Sequence, residues 1–231
     1  FRPLRAGDNS FNNIGIPLYF MLSSTMPEEL RQEKGYYGVG GCGANIAWHT
    51  EDDTMEIADR DNLLRDIKVY AAALLRSLNA PLHPLDFRAE LADIRHHLEN
   101  YAEAAAGKFD FAPAFAEIDA LDETLGRFYA QLAANPPADP AAARAANAVQ
   151  RRLARELVSV SYSRTGRFRQ DPASATFPLP DLHPATRLAE LEAGSGSDMA
   201  NVIGIHLTRG QNRLIWACRN AARDVEAYLN G

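Results

Sequence analysis

The sequence predicts a mainly helical protein with a mixed α/β portion at its front. Three observations point there. After Pro81, apolar residues recur every three or four positions over long stretches, the period of an amphipathic helix. Before it stand a short continuous apolar run and a glycine-rich loop, which suit a sheet-containing architecture better than a bundle. Proline and asparagine then punctuate the chain at Asn79-Ala80-Pro81 and Asn135-Pro136-Pro137, where helices must stop, because the residue before a proline is driven out of the helical region.

Taken in order, residues 15–22 (Gly15-Ile16-Pro17-Leu18-Tyr19-Phe20-Met21-Leu22) read as a strand buried on both faces, bounded by Asn12-Asn13 and Ser23-Ser24. Pro17 lies near its start, where a missing N–H is best tolerated. Pro27-Glu28-Glu29-Leu30 opens a helix, with proline expected at the first helical position and acids at the positive end of the dipole. Gly35, Gly38, Gly40, Gly41 and Gly43 form a loop lacking the lysine and hydroxyl of a phosphate-binding loop. Asp59 or Asp61 caps a helix running to about Leu78, with Leu63, Leu64, Ile67, Tyr70, Leu74 and Leu75 on its apolar stripe.

Four longer stripes follow. Residues 85–106 align Leu91, Ile94, Leu98 and Tyr101, and residues 113–134 align Phe115, Ile118, Leu121, Leu125, Phe128 and Leu132. Asp139-Pro140 restarts the chain with a cap and a first-turn proline, and Val149, Leu153, Leu157 and Val160 face inward to about Tyr162. The last helix, over 207–229, sets Leu214, Cys218, Ala221, Val225 and Tyr228 in steps of four and three. These are core seams of an antiparallel bundle. Residues 165–184, rich in Pro, Arg and Asp, make a connection long enough to be either functional or disordered.

Composition sets bounds. With 231 residues, 46% hydrophobic and 23% charged, the chain can bury a core over one or two domains. A net charge of −6 argues against a broad nucleic-acid-binding face, and the arginine cluster Arg151-Arg152…Arg155 reads as a solvated helix side. No apolar run reaches the roughly 18 residues of a membrane span. Cys42 and Cys218 have no zinc-finger or redox spacing, and the sequence leaves pairing between them open, as it leaves cytoplasm or periplasm. The chain opens on Phe1 without Met, so an upstream portion is expected to have been removed.

Of the six histidines, His83, His96, His97, His183 and His206 read as surface or capping residues; adjacent His96 and His97 point about 100° apart and cannot share a metal face. His49 differs. It follows the glycine-rich loop and precedes a helix, with carboxylates close behind in Trp48-His49-Thr50-Glu51-Asp52-Asp53-Thr54, where a neutral imidazole could bind metal and a carboxylate could orient it.

Two segments resemble the zinc metallopeptidase family of bacterial leucyl aminopeptidases, glutamate carboxypeptidase II and the transferrin receptor. Gly7-Asp8-Asn9-Ser10-Phe11…Gly15-Ile16-Pro17 is similar to the family's D-x-x-x-F…G-I-P segment, and His49-Thr50-Glu51-Asp52-Asp53-Thr54 to its H-T-x-x-D-T, whose histidine is the last zinc ligand. The resemblance implies that residues 1–80 are the C-terminal part of an α/β catalytic domain. Residues 81–231 would then be a helical bundle like the family's dimerisation domain. It implies His49 as a metal ligand, Asp53 as its support, and Asp8, Asn9, Phe11 and Trp48 as shapers of the substrate pocket. Two zinc ions would serve the intact parent and none this piece, since the other ligands and the glutamate base belong upstream. Trp48 stands where the family often has tyrosine, so it brings an N–H donor and no phenol. The expected activity of the parent is exopeptidase hydrolysis of peptides by metal-activated water, as an aminopeptidase or carboxypeptidase, with this piece inactive alone. The alternative is a non-catalytic assembly or binding protein like the transferrin receptor. Either way a homodimer is expected, because a strand cut from a sheet exposes edges and apolar faces that recruit other chains.

Overall fold

The computed structural model describes residues 7–17, 27–36, 47, 50–164, 177–191 and 197–231, with the side chains of 7–10 and 197 excepted. Helix accounts for 74% of them and none lies in a strand, so the protein is mainly helical. The chain divides into two compact units, Tyr19–Ala80 and a discontinuous one made of Phe1–Leu18 with Pro81–Gly231. No helix among the described residues is long and apolar enough to cross a membrane.

The smaller unit contains α1 (Glu28–Glu33) and α2 (Arg60–Asn79), with a 3-10 turn at Met55–Ile57. Pro27 is the residue before α1 rather than its first, and Tyr36 N–H returns to the Arg31 carbonyl at 2.9 Å to close it. Asp59 caps α2 by accepting from Asn62 N–H at 2.7 Å, which satisfies one of the donors every helix start leaves unpaired. None of the α2 side chains is buried. Of the strand expected over 15–22, Gly15 lies in a turn and Ile16 and Pro17 are irregular, while the remainder falls outside the described residues.

The larger unit is built on four helices, α3 (Phe87–Ala104), α4 (Ala112–Ala134), α5 (Pro140–Tyr162) and α6 (Ser197–Leu229). Their starts are set locally. Asp86 accepts from Arg88 N–H at 2.9 Å, and Asp139 accepts from the N–H groups of Ala141 and Ala142 at 2.7 and 2.9 Å. Pro140 occupies the first turn of α5, where its lost donor has no intrahelical partner anyway. The apolar stripes meet in one core, in which Leu91, Ile94, Leu98, Leu121, Leu125 and Phe128 are essentially inaccessible. Each such side chain contributes roughly 1.5–3 kcal/mol by leaving water. Phe128 presents its ring edgewise to Tyr228, centroids 5.4 Å apart.

Side-chain pairs fix the directions. Arg88 holds Asp122 through two hydrogen bonds of 2.8 and 2.9 Å and Arg95 pairs with Asp119, so α3 and α4 run antiparallel. Glu117 pairs with Arg219 and Arg127 with Glu226, so α4 and α6 run parallel. Arg152 meets Asp224 at 3.1 Å, and Arg213 reaches the Ser159 and Ser163 carbonyls at 3.2 and 2.9 Å, so α5 and α6 are antiparallel. Asn147 on α5 clamps the Pro81 carbonyl (2.9 Å) and the His83 N–H (2.8 Å) just ahead of α3. At the other end Tyr101 donates to Pro178 while Leu179 N–H bonds Ser161, which makes α3 and α5 parallel.

The order around the bundle is therefore α3, α4, α6, α5, with the closely linked α4 and α5 across the diagonal. The all-antiparallel neighbour pattern expected from the sequence is corrected: two of the four neighbouring pairs are parallel, since α4 and α5 stand across the diagonal instead of side by side. The last helix also begins at Ser197, ten residues before the expected position.

Two close approaches lock peripheral segments onto the bundle. The 3-10 helix Gly7–Ile14 packs on α5 and ends at Gly15, whose φ is +80°. A Cβ there would lie 2.3 Å from the Arg155 Cα, so only glycine fits. On α6, a Cβ at Gly210 would lie 2.9 Å from the Asp181 carbonyl oxygen, which lets the 181–182 turn rest on the helix. Beside that turn, the 3-10 helix His183–Arg187 packs against α3 and α6. Lys108 secures the following segment through the carbonyls of Leu188 (3.0 Å), Ala189 (3.3 Å) and Leu191 (2.9 Å). Cys218, a free thiol, is buried, and burial pushes its pKa up to about 12.

Candidate functional site

The candidate residues fall in both units, and each group is described within its own. Trp48 and His49 lie outside the described residues. The described chain resumes at Thr50. Its hydroxyl donates to the Ala47 carbonyl at 2.7 Å and accepts from Asp52 N–H at 3.3 Å, so one side chain closes two successive turns. Asp53 N–H bonds the Thr50 carbonyl at 3.3 Å, and Thr54 N–H the Asp52 carbonyl at 2.9 Å. The Asp53 side chain is exposed. Glu56, fully exposed, is held below the usual carboxylate range by a hydrogen bond with Thr54. From this turn the chain passes through Met55–Ile57 to the Asp59 cap, so the motif ends against a long helix start.

In the larger unit, Asp8 and Asn9 belong to the 3-10 helix Gly7–Ile14. Phe11, on the same helix, is 57% exposed, while Asn12 and Asn13 are buried. Just beyond it opens a mostly apolar cavity of about 460 Å³. Ile14, Ile16, Pro17 and Leu85 form its walls, and His83, Arg151 and Arg155 its edge. Arg151 lies 3.3 Å from His83 Nε2. Burial first, and the Arg151 charge second, hold the His83 imidazole below its ordinary pKa, which favours the neutral ring. An apolar group with an anionic end would suit such a cavity, the guanidinium groups taking the charge.

His83 and the arginine cluster read in sequence as surface features, yet three of these side chains border the cavity. The signal that could have found them is the glycine at 15, whose need for a close backbone partner is visible only once α5 lies against it. Thr50, too, is the residue that orders the turn, where the motif draws attention to the histidine and aspartate beside it.

Among the described residues, no group of three or more His, Cys, Asp or Glu side chains could hold a metal ion.

These features define a mainly helical class of protein: a four-helix bundle, accompanied by a smaller unit in which a threonine-ordered turn leads into a capped amphipathic helix. Compared with models of protein families, with curated proteins and with solved structures, the chain matches none.

Proposed function

We propose that this chain is the C-terminal portion of a zinc-dependent exopeptidase, its 1–80 region the end of an α/β catalytic domain and its 81–231 region a helical dimerisation domain. In this reading His49 is a zinc ligand and Asp53 supports its loop, while Asp8, Asn9, Phe11 and Trp48 shape the peptide-binding pocket. The other ligands and the general base come from an upstream portion. The observation that carries the reading is the turn after His49. Residues Thr50–Thr54 are tied by the Thr50 hydroxyl and lead to the capped start of a 20-residue helix, as a ligand-bearing loop held by a rigid element requires. Bound zinc would acidify a water and polarise the scissile carbonyl.

The test is made on the protein with its upstream portion, measuring zinc content and hydrolysis of aminoacyl and peptidyl substrates. His49→Ala should remove at least one of about two zinc ions and lower kcat/KM by at least about 100-fold. Unchanged metal content and activity would defeat the assignment.

A non-catalytic assembly protein is the second reading, and one feature favours it. Met199, Val202, Ile205 and Trp216 on α6 are 46–60% exposed, a group of apolar residues suited to covering by another chain. Self-association with no metal-dependent hydrolysis in the longer protein would select it.

A further inference from the structure

A second cavity, of about 560 Å³, opens in the helical unit between the outer side of α6 and the 180–187 segment. Arginines dominate its polar lining. The chain carries a net charge of −6, yet Arg164, Arg187, Arg209 and Arg213 all border this space with His206, and Asp181 is the one carboxylate among the described residues there. That carboxylate is already engaged: Arg213 holds it at 2.7 Å. Arg213 also donates to the carbonyls of Ser159, Ser163 and Arg164, so its role is to fasten the wall. Arg187 and Arg209 are exposed and have no ion-pair partner among the described residues. Both guanidinium groups line the cavity and make no hydrogen bond to another described residue.

The cavity is built by the fold. Gly210 lets the 181–182 turn lie against α6, and the 3-10 helix His183–Arg187 carries Arg187 to the side facing Arg209 and His206. Ile203, buried, and Pro184 supply an apolar floor. Like charges gathered in one concave place repel one another unless a counter-charge joins them, and a low-dielectric wall strengthens both effects. Planar guanidinium forks are suited to oxyanions with several acceptor oxygens, which they grip two bonds at a time.

We propose that this cavity is a binding site for a small multivalent oxyanion, of the phosphate or pyrophosphate class, gripped by Arg187 and Arg209 with His206 as an additional donor. The site is independent of the exopeptidase reading, since none of its residues belongs to the zinc motif.

Calorimetric titration of the full chain with inorganic pyrophosphate, at constant ionic strength, tests it. Saturable one-to-one binding is expected, weakening as salt rises. The double substitution Arg187→Gln with Arg209→Gln should weaken it at least tenfold, while Arg144→Gln, an exposed arginine elsewhere on α5, should leave it unchanged. Circular dichroism of the variants reports their folding. Absence of saturable heat with the unsubstituted chain at millimolar pyrophosphate would overturn the proposal. Equal affinity in the folded double variant would do so too.

Discussion

Helices α2 and α5 carry nearly the same apolar rhythm and meet opposite fates. On α5 Val149, Leu153 and Leu157 are wholly buried, whereas on α2 Leu63, Ile67, Leu74 and Leu75 are each more than half exposed. Both start on an aspartate cap. A 3.6-residue period therefore tells that a segment will be helical and which side is apolar; it does not tell what covers that side. The helical unit has its partners within itself, tied by ion pairs from α3 to α4, α4 to α6 and α5 to α6. Such exposed pairs contribute only about 0–1 kcal/mol each, so the difference between the two helices rests on burial.

The sharpest way to break this comparison is to truncate one side chain from each unit. Phe128→Ala should cost about 3–5 kcal/mol in urea unfolding followed by circular dichroism, while Leu74→Ala should stay within about 0.5 kcal/mol. A loss at Leu74 that grows with protein concentration would show a second copy covering α2. Equal losses at every concentration would show that exposure does not separate the units.

A somewhat smaller effect is expected from glycines. Gly15→Ala forces a Cβ to within 2.3 Å of α5 backbone at a φ of +80°, and should cost about 2–4 kcal/mol. Gly35 has a similar φ of +66° but nothing within 4 Å, so Gly35→Ala isolates the backbone strain, about 1 kcal/mol. If the two substitutions cost the same, the approach of residues 7–17 to α5 does not stabilise the fold.

The smallest effect is on pH dependence. Burial lowers the pKa values of His83 and His183 from the ordinary 6.5, both in the helical unit. The unfolded chain then binds protons that the folded chain resists, so stability is complete above pH 6.5 and declines as pH falls through the lowered values. Asp122, held below the usual 3.8 chiefly by its hydrogen bond from Arg88, adds its own loss only in more acidic solution. The urea midpoint should fall as pH drops below 6.5, with a shallower slope in a His83→Gln/His183→Gln variant. An unaltered slope would refute the histidine origin.

What the sequence made legible was local. The caps Asp59 and Asp139 and the first-turn proline of α5 act within four residues, and α2 to α5 begin and end within about two residues of where they are expected. The start of α6 was not legible, because Met199, Val202 and Ile205 remain exposed and Ile203 alone is buried over 198–206. Nor was the order of helices around the bundle, which depends on contacts between side chains a hundred residues apart. At the candidate site the turn at Thr50 follows from neighbouring residues. The cavity joining Ile16 to Arg151 required a contact no short window contains.

That contact has a consequence for synthesis. Residues 7–17 leave the ribosome well before the helix they seal against, which is complete only after residue 162, and Gly15 has no seat until Arg155 has emerged. At roughly 5–20 residues per second the segment waits on the order of ten seconds. During that interval Phe11, Ile14 and Ile16 have no α5 beside them, and a chaperone that holds short apolar stretches would find a target there.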